Sequence, residues 1–233
     1  MKHIGIIGGK GFVGSNVSLS LGTTNNVESY IKGSDLESFV TNKDIIIHCA
    51  GINRGSHEEM IESNINLTLK IGELCKNLDK KLIYVGTTYN KKDSYGFTKE
   101  IAENILDSYI RNFDCNFYVV RAPNIIGKGC RPYYNSFITT LIYEFSRGNK
   151  SIESKIINLN ERVVFIPVED LCDLLLDMVE LSLPYHVFNY PYVQSLSFRD
   201  IIDLLNNPET NTSSQGLYFH TLMEYYRNYD IKK

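Results

Sequence analysis

The sequence predicts an α/β fold: a doubly wound parallel sheet followed by a small C-terminal appendage. A short apolar strand at residues 4–7 runs directly into Gly8, Gly11 and Gly14, which follow at three-residue spacing. Strand-like and helix-like segments then alternate as far as about Gly127. The strand-like segments are continuous apolar runs, which is typical of parallel strands buried on both faces.

The alternation defines the predicted elements in chain order. Strands are predicted at residues 4–7, 27–31, 44–51, 81–86 and 115–121, and helices at residues 15–21, 36–40, 58–77, 95–113 and 136–147. Apolar residues at helical spacing predict the inner faces of two helices: Ile61, Ile65, Leu69 and Leu74, then Ile101, Ile105, Leu106 and Ile110. We treat residues 1–233 as one domain, with residues 1–127 mainly dinucleotide-binding and residues 128–233 mainly substrate-binding.

Composition excludes several classes of protein. The 233 residues are 43% hydrophobic and 22% charged, an ordinary globular balance. A net charge of −3 without long runs of one sign does not indicate a nucleic-acid or membrane partner. The five scattered cysteines predict reduced thiols and a cytoplasmic protein, and the five histidines show no metal-ligand spacing. No apolar run has the length of a membrane span or the pattern of a signal peptide.

The glycine turn after the first strand is the first functional motif. Gly8 would let the chain leave the strand sharply, and the missing Cβ of Gly11 would let backbone N–H groups approach a pyrophosphate. Gly14 would let the helix pack close to the strand. The phosphate would then lie at the helix N-terminus, where N–H groups lack partners. The alternative is a glycine-rich turn that binds nothing.

The end of the second predicted strand bears on the choice of cofactor. An NAD site usually has an acid there that binds the ribose 2′-hydroxyl, whereas this strand runs into Ile31, Lys32 and Gly33, with Asp35 only later. Lys32, together with Lys10 in the glycine turn, would place positive charge near the ribose. That charge favours a 2′-phosphate, and therefore NADPH. The alternative is two solvated lysines.

A catalytic pair is predicted at the start of the helix over residues 95–113. Tyr95 and Lys99 are four residues apart and therefore lie on one helix face, and an ammonium beside a phenol lowers the pKa of the tyrosine. Thr87 and Thr88 end the preceding strand and could place a hydroxyl beside the same ketone oxygen. These groups can protonate that oxygen while hydride arrives from nicotinamide. The spacing alone is common, and the alternative is a surface helix with a solvated lysine.

The order of these motifs resembles that of the extended short-chain dehydrogenase/reductase family. It runs from the glycine turn through His48-Cys-Ala-Gly51, Thr87-Thr88 and Tyr95-x-x-x-Lys99 to Val120-Arg121-Ala-Pro-Asn124-Ile-Ile-Gly127 and Val168-Glu-Asp170. Residues 9–14, 50–54 and 127–136 resemble more specifically the reductase domain of capsular polysaccharide enzymes that act on UDP-2-acetamido-2,6-dideoxy-hexos-4-uloses. The resemblance covers nearly the whole chain and implies a Rossmann-type sheet with a substrate-binding appendage.

The resemblance also implies roles for individual residues. Tyr95 would be the general acid, Lys99 its pKa modifier and a ribose ligand, and Thr88 or Thr87 the hydroxyl that orients the keto group. The expected cofactor contacts include Lys10 and Lys32, named above for their charge. The others, which the resemblance implies, are Gly8, Gly11, Phe12, Val13, Gly14, Ala50, Gly51, Lys99 and Pro123. The implied contacts to a UDP-sugar are Asn53, Arg54, Asn124, Arg131, Asn135 and Arg162. For Asn124 and Arg162 the alternatives are a backbone-bonded turn residue and an exposed strand charge, and Asn64 would tie the sheet to the helix over residues 58–77.

The implied reaction is NADPH-dependent reduction of the 4-keto group of such a UDP-sugar. The product would be a UDP-deoxy-aminosugar of L-rhamnosamine, L-talosamine or L-fucosamine type for surface glycans. The bacterial enzymes carry a further, metal-binding cupin domain, and steps assigned to it are expected to be absent here. Because the family often dimerises through the helices over residues 58–77 and 95–113, we expect a homodimer.

Other functions stay open. A nucleotide-sugar 4-epimerase would hold NAD⁺ tightly and regenerate it. A 4,6-dehydratase would need carboxylates beside Thr88, and Tyr89-Asn90 offers none. A non-catalytic NADP(H)-binding regulator would share the cofactor site, although the intact pair of Tyr95 and Lys99 argues against it.

Overall fold

The computed structural model describes residues 1–89, 92–181, 186–208 and 210–231; Asn90 therefore lies outside the described residues. The strands are β1 (His3–Ile7), β2 (Asn26–Ser29), β3 (Ile45–His48), β4 (Lys81–Thr87), β5 (Phe117–Ala122), β6 (Asn124–Ile126), β7 (Arg162–Pro167), β8 (Val187–Asn189) and β9 (Gln194–Ser197). The α-helices are α1 (Phe12–Leu21), α2 (Leu36–Thr41), α3 (His57–Met60), α4 (Leu67–Asn77), α5 (Ser94–Phe113), α6 (Phe137–Ser146), α7 (Val168–Glu180), α8 (Phe198–Asn206) and α9 (Ser214–Arg227). A π-helix spans Ile61–Asn66 and a 3₁₀-helix Lys150–Lys155.

A parallel sheet dominates the first of two compact units, which comprises Met1–Pro123 and Glu169–Pro191. Its described strands are ordered β2-β1-β3-β4-β5-β8. The chain moves outward from β1 to β2 and then crosses to β3 on the other side of β1, so the sheet is doubly wound, as predicted. Ligands of such sheets bind beyond the carboxyl ends of the strands at this switch point. The glycine turn follows β1 and residues 49–51 follow β3, so both lie there.

Both faces of this sheet are buried. Ile46 and Val119 pack in one apolar cluster with residues of α2, α4 and α5. Ile47 and Val120, their neighbours on the same strands, are equally inaccessible to solvent. Strands covered on both sides need apolar residues at every position, which explains why they were recognisable as continuous apolar runs.

The helix predicted over residues 58–77 is interrupted by the π-helix between α3 and α4, and its predicted inner face is wrong. The buried side chains of the π-helix and α4 are Asn64, Thr68, Ile71 and Cys75, with Gly72 beside them. The predicted positions Ile61, Ile65 and Leu74 are half-buried and Leu69 is exposed. A π turn holds more residues than an α turn, so it rotates the buried face relative to a continuous α-helical pattern.

The inner face of α5 also differs from its prediction. Leu106 is buried as expected, but Ile101, Ile105 and Ile110 are only half-buried. The remaining buried positions are Gly96, Thr98, Lys99, Ala102, Glu103 and Tyr109. The buried face of α5 therefore combines apolar residues with polar and charged groups, and the three predicted isoleucines lie at its margins.

The second compact unit comprises Asn124–Val168 and Tyr192–Lys233. β6 pairs parallel with β7, and β7 pairs antiparallel with β9. Residues of α6, α8 and α9, among them Leu141, Ile201 and Phe219, form its apolar core. The chain thus leaves the first unit after Pro123 and returns to it with most of α7 and with β8. The division into dinucleotide-binding and substrate-binding parts stays a prediction.

Two lysines bind the C-terminal end of α7 within the first unit. The Lys2 ammonium donates to the Val179 carbonyl, and the Lys81 ammonium donates to the carbonyls of Met178 and Leu181. Positive charge stabilises a helix C-terminus, where carbonyl groups lack helical partners.

Candidate active site

The glycine turn is shaped by backbone contacts that leave no room for side chains. Gly8 has φ +92°, and a Cβ on it would lie 2.6 Å from the Ala50 nitrogen. A Cβ on Gly14 would lie 2.3 Å from the Gly8 carbonyl oxygen. The Gly11 N–H donates to that same oxygen at 2.9 Å, and α1 begins directly afterwards. Gly11 provides no side-chain cap, so the first N–H groups of α1 are available to a phosphate. The turn therefore fits a dinucleotide pyrophosphate.

The acids around the end of β2 have partners within the protein: Glu28, on the strand itself, pairs with Lys43 at 2.6 Å. The chain runs from Ser29 into exposed residues, among them Lys32, and Lys10 in the turn is exposed as well. Asp35, the first acid after the strand, accepts hydrogen bonds from the backbone N–H groups of Glu37 and Ser38 and so caps α2. Phe12 and Val13 are half-buried in the first turn of α1.

A buried polar network holds the loop after β3. The Asn64 side chain accepts from the Ile52 N–H at 2.8 Å and donates to the Ile52 carbonyl at 2.9 Å. It also donates to the Thr98 hydroxyl on α5 at 3.0 Å. The π-helix is thereby tied to the loop that follows β3 and to α5. Asn64 was expected to tie the sheet to its helix, and the structure shows it bonded to both this loop and α5.

His48 completes this network in its neutral form. Burial lowers the pKa of His48 to about 3, and the nearby Lys99 ammonium contributes. The Ala50 N–H donates to Nδ1 at 3.3 Å, so Nε2 carries the proton and faces the Thr68 hydroxyl at 3.0 Å. Neither His48 nor Thr68 was predicted to be a site residue. A usable signal was that Asn64 and Thr68, four positions apart, lie on one face of the predicted helix.

Tyr95 and Thr87 meet at the carboxyl end of β4. Asp93 caps α5 by accepting the Gly96 N–H at 2.8 Å, which places Tyr95 in the first turn. Thr87, the last residue of β4, lies close enough to Tyr95 to lower the pKa of its hydroxyl. Burial raises the pKa of Tyr95, and the contact with Thr87 opposes that rise only in part. The expectation that its pKa is lowered is therefore wrong in direction, because loss of water outweighs the favourable contacts.

Lys99 lies buried one helical turn after Tyr95. Its ammonium donates to the Val85 carbonyl at 3.3 Å and lies 4.2 Å from the centre of the Tyr84 ring. Burial lowers the pKa of Lys99 to about 8, against the opposing charge of Glu103. A Cβ on Gly51 would lie 3.9 Å from the ammonium nitrogen, so the structure brings the loop after β3 and the helical pair together.

Around these residues the first unit has an open cleft of about 930 Å³. Thr88 lines it with an exposed side chain, while its backbone N–H donates to the Ala122 carbonyl. The other lining residues are His57, Thr87, Tyr89, Lys92, Asp93, Ser94, Gly96, Phe97, Lys99, Glu100, Glu103, Arg121 and Asn189. The cleft is large enough for a sugar beside the nicotinamide end of a dinucleotide.

The predicted substrate contacts are divided between the two units. Asn53, half-buried, and Arg54, exposed, follow β3 in the first unit, where Pro123 also lies half-buried after β5. In the second unit Asn124 opens β6, Arg131 lies near the Tyr134 ring, and Asn135 precedes the Ser136 cap of α6. Arg162 donates to the Ser195 hydroxyl and carbonyl across the strand pair. Substrate binding by these residues stays a prediction.

Two further observations concern the described part of the chain. No group of three or more histidine, cysteine or acidic side chains is arranged to hold a metal ion there. In the same residues, no helix combines the length and apolarity needed to cross a bilayer.

The fold and the glycine turn place the protein among Rossmann-type α/β proteins, and comparison with known proteins narrows this class. Residues 4–190 match the model of the NAD dependent epimerase/dehydratase family. The chain belongs to this family, in agreement with its resemblance to extended short-chain dehydrogenases/reductases.

Three similar proteins illustrate the relationship. Over 175 residues it is 29% identical to the UDP-2-acetamido-2,6-beta-L-arabino-hexul-4-ose reductase of Pseudomonas aeruginosa, an alignment that covers 71% of this chain and 46% of that protein. The chain thus spans about half the length of that relative. The capsular polysaccharide assembling protein CapF of Staphylococcus aureus superposes with a TM-score of 0.78 and 24% identity, over 96% of this chain and 65% of that one. UDP-glucuronic acid 4-epimerase from Bacillus cereus in complex with NAD superposes with a TM-score of 0.79 and 17% identity, over 97% of this chain and 98% of that one. Because both identities are below 25%, these similarities show that this chain has the same fold as the two proteins.

Proposed function

We propose that the protein catalyses NADPH-dependent reduction of the 4-keto group of a UDP-2-acetamido-2,6-dideoxy-hexos-4-ulose. The observation that carries this proposal is the placement of Tyr95 in the first turn of α5 beside Thr87, with Lys99 buried one turn away and both Thr87 and Lys99 lining the cleft. The reductase name of the Pseudomonas aeruginosa relative supports this chemistry. The product would be a UDP-deoxy-aminosugar of L-rhamnosamine, L-talosamine or L-fucosamine type for surface glycans.

The residues of the cleft fit this reaction. NADPH, when bound, supplies the hydride that forms the new C–H bond at the sugar carbon. Tyr95 donates its proton to the ketone oxygen, and the raised pKa of Tyr95 keeps that proton in place at neutral pH. The Lys99 ammonium stabilises the phenolate that remains and binds the cofactor ribose. Thr87, or Thr88 on the open side of the cleft, orients the keto group.

The shape and charge of the first unit support the proposed cofactor contacts. Gly8, Gly11 and Gly14 would hold the pyrophosphate against the N-terminus of α1. Lys10 and Lys32 would attract a 2′-phosphate, and the use of Asp35 as a helix cap supports NADPH over NADH. The cytoplasmic location and the homodimer remain part of the same proposal.

A nucleotide-sugar 4-epimerase is the second candidate. The superposition with the Bacillus cereus epimerase covers 98% of that protein. Tyr95 and Lys99 would serve an epimerase equally well. Tightly held NAD⁺ would distinguish it. A regulator that binds NADP(H) without turnover would differ from both.

Coupled turnover tests these candidates. UDP-N-acetylglucosamine is converted by a separate inverting 4,6-dehydratase, this protein is added, and NADPH absorbance is followed with NADH as the control. Loss of NADPH together with a new UDP-deoxy-aminohexose supports the reductase, and NMR of the product gives its C4 configuration. No loss from a protein purified with bound NAD⁺ favours the epimerase. Saturable NADPH binding without turnover favours the regulator.

A further inference from the structure

Glu103 is a buried acid at the centre of the catalytic cluster. Its side chain is 8% exposed and lies on α5, four residues after Lys99. One carboxylate oxygen accepts the Arg121 Nε–H from β5 at 2.6 Å. The other accepts the backbone N–H of Thr87 at 3.2 Å. The carboxylate therefore joins α5 to the ends of two neighbouring strands.

Gly86 makes this position of the carboxylate possible. A Cβ on Gly86 would lie 2.5 Å from the Glu103 oxygen that accepts the Thr87 N–H. Any side chain at this position would push the carboxylate away from the strand. The contact therefore requires the acid on α5 and the glycine on β4 together.

Glu103 is also the carboxylate that favours the charged form of Lys99. The groups that face Lys99 come from β3, β4 and α5. His48, with its pKa lowered to about 3, and Cys49, with its pKa raised to about 12, are both uncharged at neutral pH. Tyr84 is neutral because burial raises the pKa of its hydroxyl, and Tyr95 likewise. Of the causes that raise the pKa of Lys99, Glu103 is the largest.

We propose that Glu103 is a positioning residue for the reduction, which holds the end of β4 in place through Thr87 and places a carboxylate one helical turn from the Lys99 ammonium. Arg121 pairs with the buried carboxylate, which offsets the cost of removing that charge from water. This inference rests on the proposed function, because Glu103 would position the proton donor Tyr95 and the lysine Lys99 that the proposed reaction uses.

The test measures the charge of Lys99 directly. Protein with isotope-labelled lysine is titrated by NMR from about pH 6 to about pH 10.5, and the Lys99 Cε resonance is assigned by its loss in Lys99→Arg. In Glu103→Gln we expect the Lys99 pKa to fall by about one unit, because a nearby negative charge is removed. Asp107→Asn is the matched control. It makes the same change one turn further along α5, where Asp107 pairs with Arg111 near the surface, and it should leave the titration unchanged.

A second variant separates the two roles of Glu103. Gly86→Ala keeps the acid but displaces its carboxylate from the Thr87 N–H. We expect kcat for reduction to fall about tenfold through loss of geometry, with a smaller change in the Lys99 titration than in Glu103→Gln. This variant also provides a result if Glu103→Gln does not fold.

The outcomes distinguish the inference from the proposed function. Equal Lys99 titrations in wild type and Glu103→Gln, or wild-type kcat in Gly86→Ala, would overturn the positioning role. A wild-type protein that consumes no NADPH but shows the expected shift of Lys99 would refute the reductase and leave the electrostatic part of the inference intact. The NMR titration needs neither cofactor nor substrate.

Discussion

The glycine turn after β1 and the Tyr95 cluster after β4 lie at the same edge of one parallel sheet but are built differently. In the turn, the close contacts are between backbone atoms, such as the space that Gly14 leaves beside the Gly8 oxygen. In the cluster, side chains from β4, α5 and β5 meet, and the buried Glu103 carboxylate pairs there with the partly exposed Arg121. Backbone contacts respond to volume, whereas buried charges respond to pH and to single atoms. The two regions should therefore fail in different ways.

Removing one oxygen atom from the cluster should have the largest effect. In Tyr95→Phe we expect kcat for reduction to fall by about three orders of magnitude, because the proton donor is lost. The dissociation constant for NADPH, measured by cofactor fluorescence, should stay near the wild-type value. Tyr109→Phe makes the same change elsewhere on α5 and should retain activity. Near-wild-type turnover in Tyr95→Phe would refute the assignment of the acid.

Adding one methyl group to the turn should chiefly weaken binding. In Gly14→Ala the Cβ would lie 2.3 Å from a backbone oxygen, so the turn must shift, and we expect NADPH to bind at least about tenfold more weakly. Gly148→Ala is the control: Gly148 has φ +78° with no atom near its Cβ position. It should cost about 1 kcal/mol of stability and leave binding unchanged. Equal NADPH affinity in Gly14→Ala and wild type would contradict this account of the turn.

The buried network beside the cluster should make stability depend on pH. The pKa of His48 is lowered to about 3 in the folded protein, while an unfolded histidine titrates near 6.5. Between these values the unfolded state binds more protons, so stability falls as the pH decreases. From about pH 6.5 to pH 5 this group should remove about 2 kcal/mol of unfolding free energy.

Urea unfolding at several pH values measures this slope. In His48→Asn the loss of unfolding free energy between about pH 6.5 and pH 5 should be smaller by about 2 kcal/mol than in wild type. A substitution of the exposed His3 should leave this loss as in wild type. An identical slope in His48→Asn and wild type would show that His48 is not buried in its neutral form.

The smallest effect is expected at Lys32, where the proposed contact with the cofactor depends on charge and not on close packing. Lys32→Ala should weaken NADPH binding about threefold to tenfold and leave NADH binding unchanged, because an exposed lysine contributes only modestly to binding a phosphate. The ratio of the two dissociation constants is the measurement. Lys70→Ala, an exposed lysine on α4, is the control. A proportional loss for both cofactors would argue against a 2′-phosphate contact.

The same two regions also differ in how well the sequence predicted them. The glycine turn is a local motif, so its spacing alone predicted a geometry that the structure confirms at Gly8 and Gly14. Tyr95 and Lys99 were also local, being one helical turn apart. Glu103 was missed because its partner Arg121 lies on another strand and because the contact depends on the small size of Gly86. The raised pKa of Tyr95 depends on burial, which no spacing reveals.

The inner faces of two helices were misread for a related reason. A search for apolar residues at helical spacing cannot detect a π turn, which moves Asn64 and Thr68 into the interior. On α5 the interior positions include Lys99 and Glu103, which a search for apolar residues cannot find. Periodicity therefore predicted where helices lie better than which side they bury.

The return of the chain to the first unit affects how this unit can assemble. β8, at the edge of the parallel sheet, and the end of α7 that Lys2 and Lys81 bind are encoded far downstream of β5, beyond the intervening residues of the second unit. During synthesis the whole segment between β5 and β8 must therefore leave the ribosome before β5 acquires β8 as its neighbour in the sheet. Contacts between such distant parts of a chain slow folding. Until then β5 presents an unpaired edge, which is the segment most exposed to mispairing with other nascent chains.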